Sequence, residues 1–156
     1  MREQLFRLRN FFGLWIFVLG TVSSAMPVDL RDVVINEIAW MGSAASTDDE
    51  WIELYNNTDS AIDLSGWTLA SEDGAPTINL SGTIPAHGYF LLERTDDNTV
   101  SDIAADLIYS GALGNTGEKL QLKDDSGQLV DEVDCSGGWF DPYIERTCFE
   151  KCQFLR

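Results

Sequence analysis

The sequence predicts an all-β protein, because its apolar segments are short, recur at close intervals and end at turn-forming residues. They follow one another at roughly ten-residue spacing and are separated by Gly, Pro, Asn or Ser-Gly. No long window shows the apolar period of about 3.6 residues that marks an amphipathic helix. The stretch from 33 to 134, about 100 residues, suits one immunoglobulin-like β-sandwich.

Each predicted strand is rich in β-branched, aromatic or alternating apolar residues. The first two, 33–40 (VVINEIAW) and 50–55 (EWIELY), flank a polar loop of small residues. The hairpin of 119–123 and 128–133 is the clearest pair, because Leu120 and Leu122 alternate with polar residues and Asp-Asp-Ser-Gly supplies the turn. The other predicted strands are 62–64, 67–69, 77–80, 88–93 and 107–109.

Composition narrows the possible functions. The 156 residues suit a single domain, and 26 Asp and Glu against 10 Lys and Arg give a net charge of -16. Such a surface repels a nucleic-acid backbone, so we expect no nucleic-acid partner. One histidine and three cysteines leave little material for a hydrolytic zinc site or for Ser-His or Cys-His catalysis.

The N-terminal segment has the pattern of an export signal. Basic residues Arg2, Arg7 and Arg9 precede an apolar run, and Ser23 and Ala25 fit positions −3 and −1 of a cleavage site after Ala25. Residues 1–25 are therefore predicted to be a signal peptide, and the remaining body carries a net charge of -18. The alternative is an uncleaved membrane anchor formed by residues 10–28, which contain no charge. Both interpretations predict export, to the medium, the cell surface or the membrane.

Five phrases, in the same order and at the same spacing, together resemble the lamin tail domain family over nearly all of residues 33–134. They are 35–38 (INEI), 49–57 (DEWIELYNN), 62–69 (IDLSGWTL), 84–92 (IPAHGYFLL), and 113–122 (LGNTGEKLQL) leading into 127–133 (GQLVDEV). The resemblance implies an immunoglobulin-like sandwich without catalytic residues. Similar bacterial and archaeal domains occur on exported or surface proteins, often beside hydrolase domains, and are taken to be adhesion or interaction modules. The signal-like segment places this chain with the exported bacterial type, so nuclear partners are not expected.

Within these phrases, two tryptophans and two glycines have predicted structural roles. Trp51 and Trp67 are expected to pack between or across the sheets, since a large aromatic side chain buries about 150–250 Å². Gly66 and Gly117 are expected in turn conformations that disfavour a Cβ.

The densest acidic group is a candidate calcium site. Asp48, Asp49, Glu50 and Glu53 lie where a loop enters a strand, and calcium requires several converging oxygen ligands. Their spacing does not match the Asp-x-Asp-x-Asp-Gly calcium loop, and Glu53 shares a strand face with Trp51. The competing interpretation is a solvated acidic cluster at a sheet end, with no cofactor.

The single histidine and the cysteines of the C-terminal segment are the remaining candidates for a functional or structural role. His87, in Pro-Ala-His-Gly, is expected to be a turn residue. Export favours disulfides, so Cys148 and Cys152 are a possible pair, and Cys135 is able to reach either of them. The tail, residues 135–156, resembles the family only as far as Trp139. Two interpretations of 141–156 stay open: a cap on the sandwich, or a truncated or frame-shifted remnant.

The sequence therefore predicts a non-catalytic, exported interaction or adhesion module with an unidentified protein or cell-surface partner. Loops carry function on rigid scaffolds, so the binding site is expected on loops 42–49 and 96–105. Two alternatives remain: a calcium-dependent surface or carbohydrate binder, and an accessory fragment of an exported hydrolase.

Overall fold

The computed structural model describes residues 28–139, which form ten β-strands and no helix. The strands are β1 (Val33–Ala39), β2 (Trp51–Asn56), β3 (Ile62–Asp63), β4 (Thr68–Ser71), β5 (Thr77–Asn79), β6 (Thr83–Ile84), β7 (Tyr89–Arg94), β8 (Leu107–Tyr109), β9 (Lys119–Lys123) and β10 (Leu129–Asp134). The all-β prediction is confirmed. The two-residue β6 was not predicted, because Thr83 and Ile84 are too few to show a pattern. The predicted signal segment 1–25, nearly all of the anchor segment 10–28, and residues 140–156 lie outside the described residues.

Two four-stranded sheets and one short ribbon make up the sandwich. The first sheet has the order β1-β2-β7-β8, in which only the β7–β8 pair is parallel. The second sheet has the order β10-β9-β4-β5, and β3 pairs with β6. The amide of Ile35 on β1 donates to Asp131 Oδ2 on β10 at 2.9 Å, so the two sheets are joined along one edge.

Strand alternation builds the core. Ile52 and Leu54 of the first sheet, and Leu69, Leu120 and Leu122 of the second, are fully buried. Every second residue of a strand points to the same face, so these side chains meet between the sheets. Each contributes about 1.5–3 kcal/mol relative to an exposed position.

The two predicted core tryptophans take different positions. Trp67 is 3% exposed and belongs to the core, as expected. Trp51 is also buried, but it precedes inward-facing Ile52 and therefore lies on the outer face of the first sheet. Of the expectation that Trp51 packs between or across the sheets, burial holds but packing between the sheets does not, because strand alternation sends Ile52 inward and Trp51 outward.

Asn56, the last residue of β2, connects several neighbouring turns. It is fully buried, and its side-chain Nδ2 donates to the carbonyl oxygens of Ser60, Ile84 and Pro85. Its Oδ1 accepts hydrogen bonds from the amide and hydroxyl of Thr58. Asn56 thereby holds the β2–β3 loop against the end of β6.

The fold continues beyond the last strand. Cys135 is buried, and Trp139 stacks on Trp40 with ring centroids 5.8 Å apart and an interplanar angle of 8°. The Trp139 indole donates to the carbonyl of Gly114. Residues 135–139 therefore close one end of the sandwich.

Candidate functional site

The four calcium candidates do not converge on one point. Asp48 Oδ1 lies 3.1 Å from Arg94 Nη2. The carboxylate of Asp49 accepts a hydrogen bond from the Ser43 hydroxyl. Glu53 lies on the outer sheet face and accepts from Asn36 Nδ2 at 2.7 Å. Each of these carboxylates has a partner of its own.

Glu50, the fourth candidate, is a buried structural residue. It is 3% exposed, its Oε1 accepts from Arg94 Nη1 at 3.1 Å, and its Oε2 accepts from the Leu113 amide at 2.8 Å. Desolvation by burial raises the pKa of Glu50, and these hydrogen bonds act in the opposite direction. Within residues 28–139, no three His, Cys, Asp or Glu side chains are placed to hold a metal ion.

Both predicted binding loops lie at the same end of the first sheet. Loop 42–49 connects β1 to β2, and loop 96–105 follows β7. Arg94, the last residue of β7, contacts Asp48 of one loop and stands two residues before the other. We call this end of the sandwich the loop end.

Loop 96–105 is held in place by buried and backbone hydrogen bonds. Glu93 is fully buried, and its carboxylate accepts from the amides of Thr99 and Val100 at 3.0 and 2.9 Å. Asp97 accepts from the Ala105 amide at 2.7 Å. Because Glu93 pairs with Trp51 across the outer face, this loop is anchored over the same face as that tryptophan.

The loop end presents apolar side chains to solvent. Met41 precedes loop 42–49 and is 55% exposed, and Ile103 in loop 96–105 is 61% exposed. Ile108, on the outer face of β8, is 43% exposed. Ordered loops with exposed apolar side chains are suited to binding a macromolecule, because little ordering entropy is lost on contact.

A layer of polar side chains lies beneath the loop end, between the sheets. Besides Glu50 and Arg94 it contains Ser71, Tyr109 and Glu118, which are each 5–6% exposed. Ser71 Oγ, Tyr109 OH and Glu118 Oε1 have no hydrogen-bond partner among the described residues. Desolvation is the largest cause that raises the pKa of Tyr109 and of Glu118.

A groove at the opposite end was not predicted from sequence. It encloses about 780 Å³, and its rim carries five aspartates, the groove aspartates: Asp29, Asp32, Asp63, Asp124 and Asp125. Val28, Ile62 and Trp67 provide apolar lining. The aspartates are spread over 97 positions of sequence numbering, from Asp29 to Asp125, so only the folded topology brings them together.

His87 and Cys135 are structural in this fold. His87 adopts a turn conformation with φ of 52°, as predicted, and its Nε2 lies 2.8 Å from Asp59 Oδ1. Cys135 is disulfide-bonded. The predicted Cys148–Cys152 pair lies outside the described residues.

The comparisons with known proteins give one family match. A family model described as Lamin Tail Domain matches residues 29–137. No curated protein matches the chain. Within the described residues, no helix has the length and apolarity needed to cross a membrane.

Proposed function

The chain belongs to the lamin tail domain family, and from that premise we propose that it is an exported, non-catalytic interaction or adhesion module. Its binding surface is the loop end, and its partner is a protein or cell-surface component outside the chain. The family supports an interaction role for the immunoglobulin-like fold. The signal-like residues 1–25 support export.

One observation supports the choice of surface: neighbouring residues at the end of β7 hold both predicted loops, since Arg94 bonds to Asp48 of loop 42–49 and Glu93 accepts from the Thr99 and Val100 amides of loop 96–105. Exposed Met41 and Ile103 are then presented from a fixed backbone. Apolar anchors on preorganised loops supply most of the binding energy in many interfaces.

The test compares two exposed apolar residues with almost equal accessibility. Ile103 at the loop end is 61% exposed, and Leu30 near the start of β1 is 64% exposed. Fluorescently labelled residues 26–156, expressed in an oxidising host, are titrated onto envelope preparations from the cells that produce the protein. We expect Ile103→Asp to lose most of the saturable binding and Leu30→Asp to retain it. Equal binding by both variants would contradict the assignment of the loop end.

The proposal also excludes hydrolase activity. The same purified body is expected not to hydrolyse nucleic acids, phosphate esters or peptides. Turnover that a single substitution such as Asp49→Asn abolishes would show that the acidic group 48–53 is a catalytic metal site.

A further inference from the structure

Three buried side chains beneath the loop end carry polar atoms that bond to nothing within residues 28–139. They are Tyr109 at the end of β8 in the first sheet, Ser71 at the end of β4 in the second, and Glu118 directly before β9. Their atoms Tyr109 OH, Ser71 Oγ and Glu118 Oε1 are buried and have no hydrogen-bond partner there. We call these residues the buried trio. In folded proteins roughly 90% or more of such groups bond to protein or to ordered water.

The chain path brings the members of the trio together. Gly111, two residues after Tyr109, packs against Pro76, with 3.3 Å between the position of a Cβ on Gly111 and Pro76 Cα. The carbonyl of Pro76 accepts from the Ser71 amide at 2.9 Å. The end of β8 in one sheet and the end of β4 in the other are therefore connected through a single residue.

The electrostatics of the trio agree with this proximity. Desolvation raises the pKa of Glu118, and the nearby Ser71 hydroxyl acts in the opposite direction, although no hydrogen bond joins the two side chains. Desolvation also raises the pKa of Tyr109, and the charges of Glu50 and Glu118 add to that increase. The three groups thus lie within range of one another without a direct bond between them.

The neighbouring polar groups already have other partners. Glu50 accepts from Arg94 and from the Leu113 amide, and Glu118 Oε2 accepts from the Gly114 amide at 3.2 Å. What remains is two hydroxyl groups, each with a hydrogen to donate, and one carboxyl oxygen that accepts. A buried water typically makes about three hydrogen bonds and is able both to donate and to accept. Water therefore matches the trio in number and in kind.

We propose that an ordered water molecule is buried between the sheets and bridges Tyr109, Ser71 and Glu118. It accepts from the two hydroxyls and donates to Glu118 Oε1. The trio residues are only 5–6% exposed, so the occupant has the size of a solvent molecule. The water joins β8 of the first sheet to β4 and β9 of the second. At the opposite edge of the sandwich, the Ile35 amide and Asp131 join the sheets directly.

The test counts long-lived waters by ¹⁷O relaxation dispersion, which reports the oxygen of bound water and not exchanging hydroxyl protons. The protein is residues 26–156 from an oxidising host, which contain the whole described sandwich. The trio variant combines Ser71→Ala and Tyr109→Phe and leaves the water one of its three partners, fewer than a buried water needs. The matched variant combines Ser81→Ala and Tyr89→Phe, which remove the same two hydroxyls from exposed residues.

We expect the dispersion amplitude of the trio variant to fall by the contribution of about one water. The matched variant should keep the wild-type amplitude. Equal amplitudes in wild type and the trio variant would overturn the proposal.

The single change Tyr109→Phe gives a second measurement, because it keeps the ring and removes only the hydroxyl. Removing a dry, unpaired hydroxyl would stabilise the fold, whereas removing one that bonds to water destabilises it. We expect the unfolding equilibrium constant of Tyr109→Phe to be about two- to tenfold larger than that of wild type, and that of Tyr89→Phe to be unchanged. An unchanged or smaller constant for Tyr109→Phe would overturn the proposal.

A monovalent cation is the competing occupant, because all three atoms of the trio are oxygens. Urea unfolding in sodium chloride and in tetramethylammonium chloride at equal ionic strength distinguishes the two. We expect the same wild-type midpoint in both salts. A higher midpoint in sodium, lost in the trio variant, would overturn the water assignment in favour of a sodium site. None of these results bears on the loop end, which the Ile103→Asp comparison tests separately.

Discussion

The guanidinium of Arg94 donates to the buried carboxylate of Glu50 at 3.1 Å, although the two residues are 44 positions apart in the chain. The same carboxylate accepts from the Leu113 amide, so it joins β2, β7 and the segment before β9. Glu50 therefore has a structural role at the position where the sequence suggested a calcium ligand.

Removing the positive partner should leave Glu50 charged and buried. We expect Arg94→Met to lower the free energy of unfolding by about 3–5 kcal/mol, the usual result of breaking a buried pair from one side. The comparison is Lys119→Met, whose partners Glu72 and Glu132 are 67% and 31% exposed. That change should cost no more than about 1 kcal/mol. Urea unfolding measures both, and equal effects would mean that the Glu50 pair contributes no more than a surface pair.

Replacing Gly117 even by alanine should strongly destabilise the fold. Its φ is +106°, and a Cβ there would lie 2.1 Å from the carbonyl oxygen of Cys135 and 2.6 Å from the Gly138 amide nitrogen. Gly127 provides the control, because its φ is +83° and a Cβ there would meet nothing within 4 Å. Both alanine variants carry the backbone cost of positive φ, about 1–2 kcal/mol. We expect only Gly117→Ala to add a steric clash that prevents closure of residues 135–139.

Thermal unfolding of the two alanine variants separates these effects. Gly127→Ala should remain folded with a modestly lower Tm, whereas Gly117→Ala should unfold at a much lower temperature or fail to fold. Similar Tm values would indicate that the 135–139 segment moves away at little cost.

The strands could be predicted from local patterns in the sequence. The candidate sites could not, because they depend on contacts between residues that are distant in the chain. The alternation in 119–123 and the Asp-Asp-Ser-Gly turn are local, so the β9–β10 hairpin was predicted correctly. The groove aspartates come from separate turns, and no short window contains them all. The burial of Glu50 depends on Arg94 and Leu113, which are distant in sequence. Acid density alone therefore could not distinguish a buried ion pair from a metal ligand.

The buried carboxyl of Glu118 should make the protein less stable as pH rises. Its pKa is raised above the ordinary value of 4.5, chiefly by desolvation. The folded state then binds the proton more tightly than the unfolded chain, so this contribution to stability is complete below pH 4.5 and is lost as pH rises through the higher folded pKa. We expect Glu118→Gln to remove this loss.

Asp124 should make the protein less stable as pH falls, which is the opposite of the effect of Glu118. Hydrogen bonds from the Ser126 hydroxyl and the Gln128 amide lower its pKa below 3.8. Its contribution is therefore present above pH 3.8 and is lost as pH falls through the lower folded pKa. Urea unfolding at a series of pH values from acid to neutral measures both effects. With rising pH, the free energy of unfolding of Glu118→Gln should increase relative to wild type, and that of Asp124→Asn should decrease relative to wild type. The same slope in both differences would contradict these assignments.

Substitutions at Trp67 and Asp49 should have very different effects on stability, because Trp67 lies in the core and Asp49 lies in a surface loop. Trp67 is 3% exposed within the core, so Trp67→Ala should lower the free energy of unfolding by about 3–5 kcal/mol. Asp49 lies in loop 42–49 and accepts a hydrogen bond from Ser43. Asp49→Ala should therefore stay within about 0.5 kcal/mol of wild type. The lost negative charge also relieves some repulsion in a strongly acidic body.

Urea unfolding of both variants, with and without millimolar calcium, is the measurement. We expect calcium to leave the wild-type transition unchanged, because Asp48, Asp49, Glu50 and Glu53 face separate partners. In the contrary case, calcium raises the urea midpoint of the wild type, and Asp49→Ala lowers that midpoint only when calcium is present. Those two results together would make the calcium-dependent surface binder the better description. A Trp67→Ala variant that unfolds like wild type would instead mean that the groove is wider than the structure shows, with the indole available for stacking on a ligand.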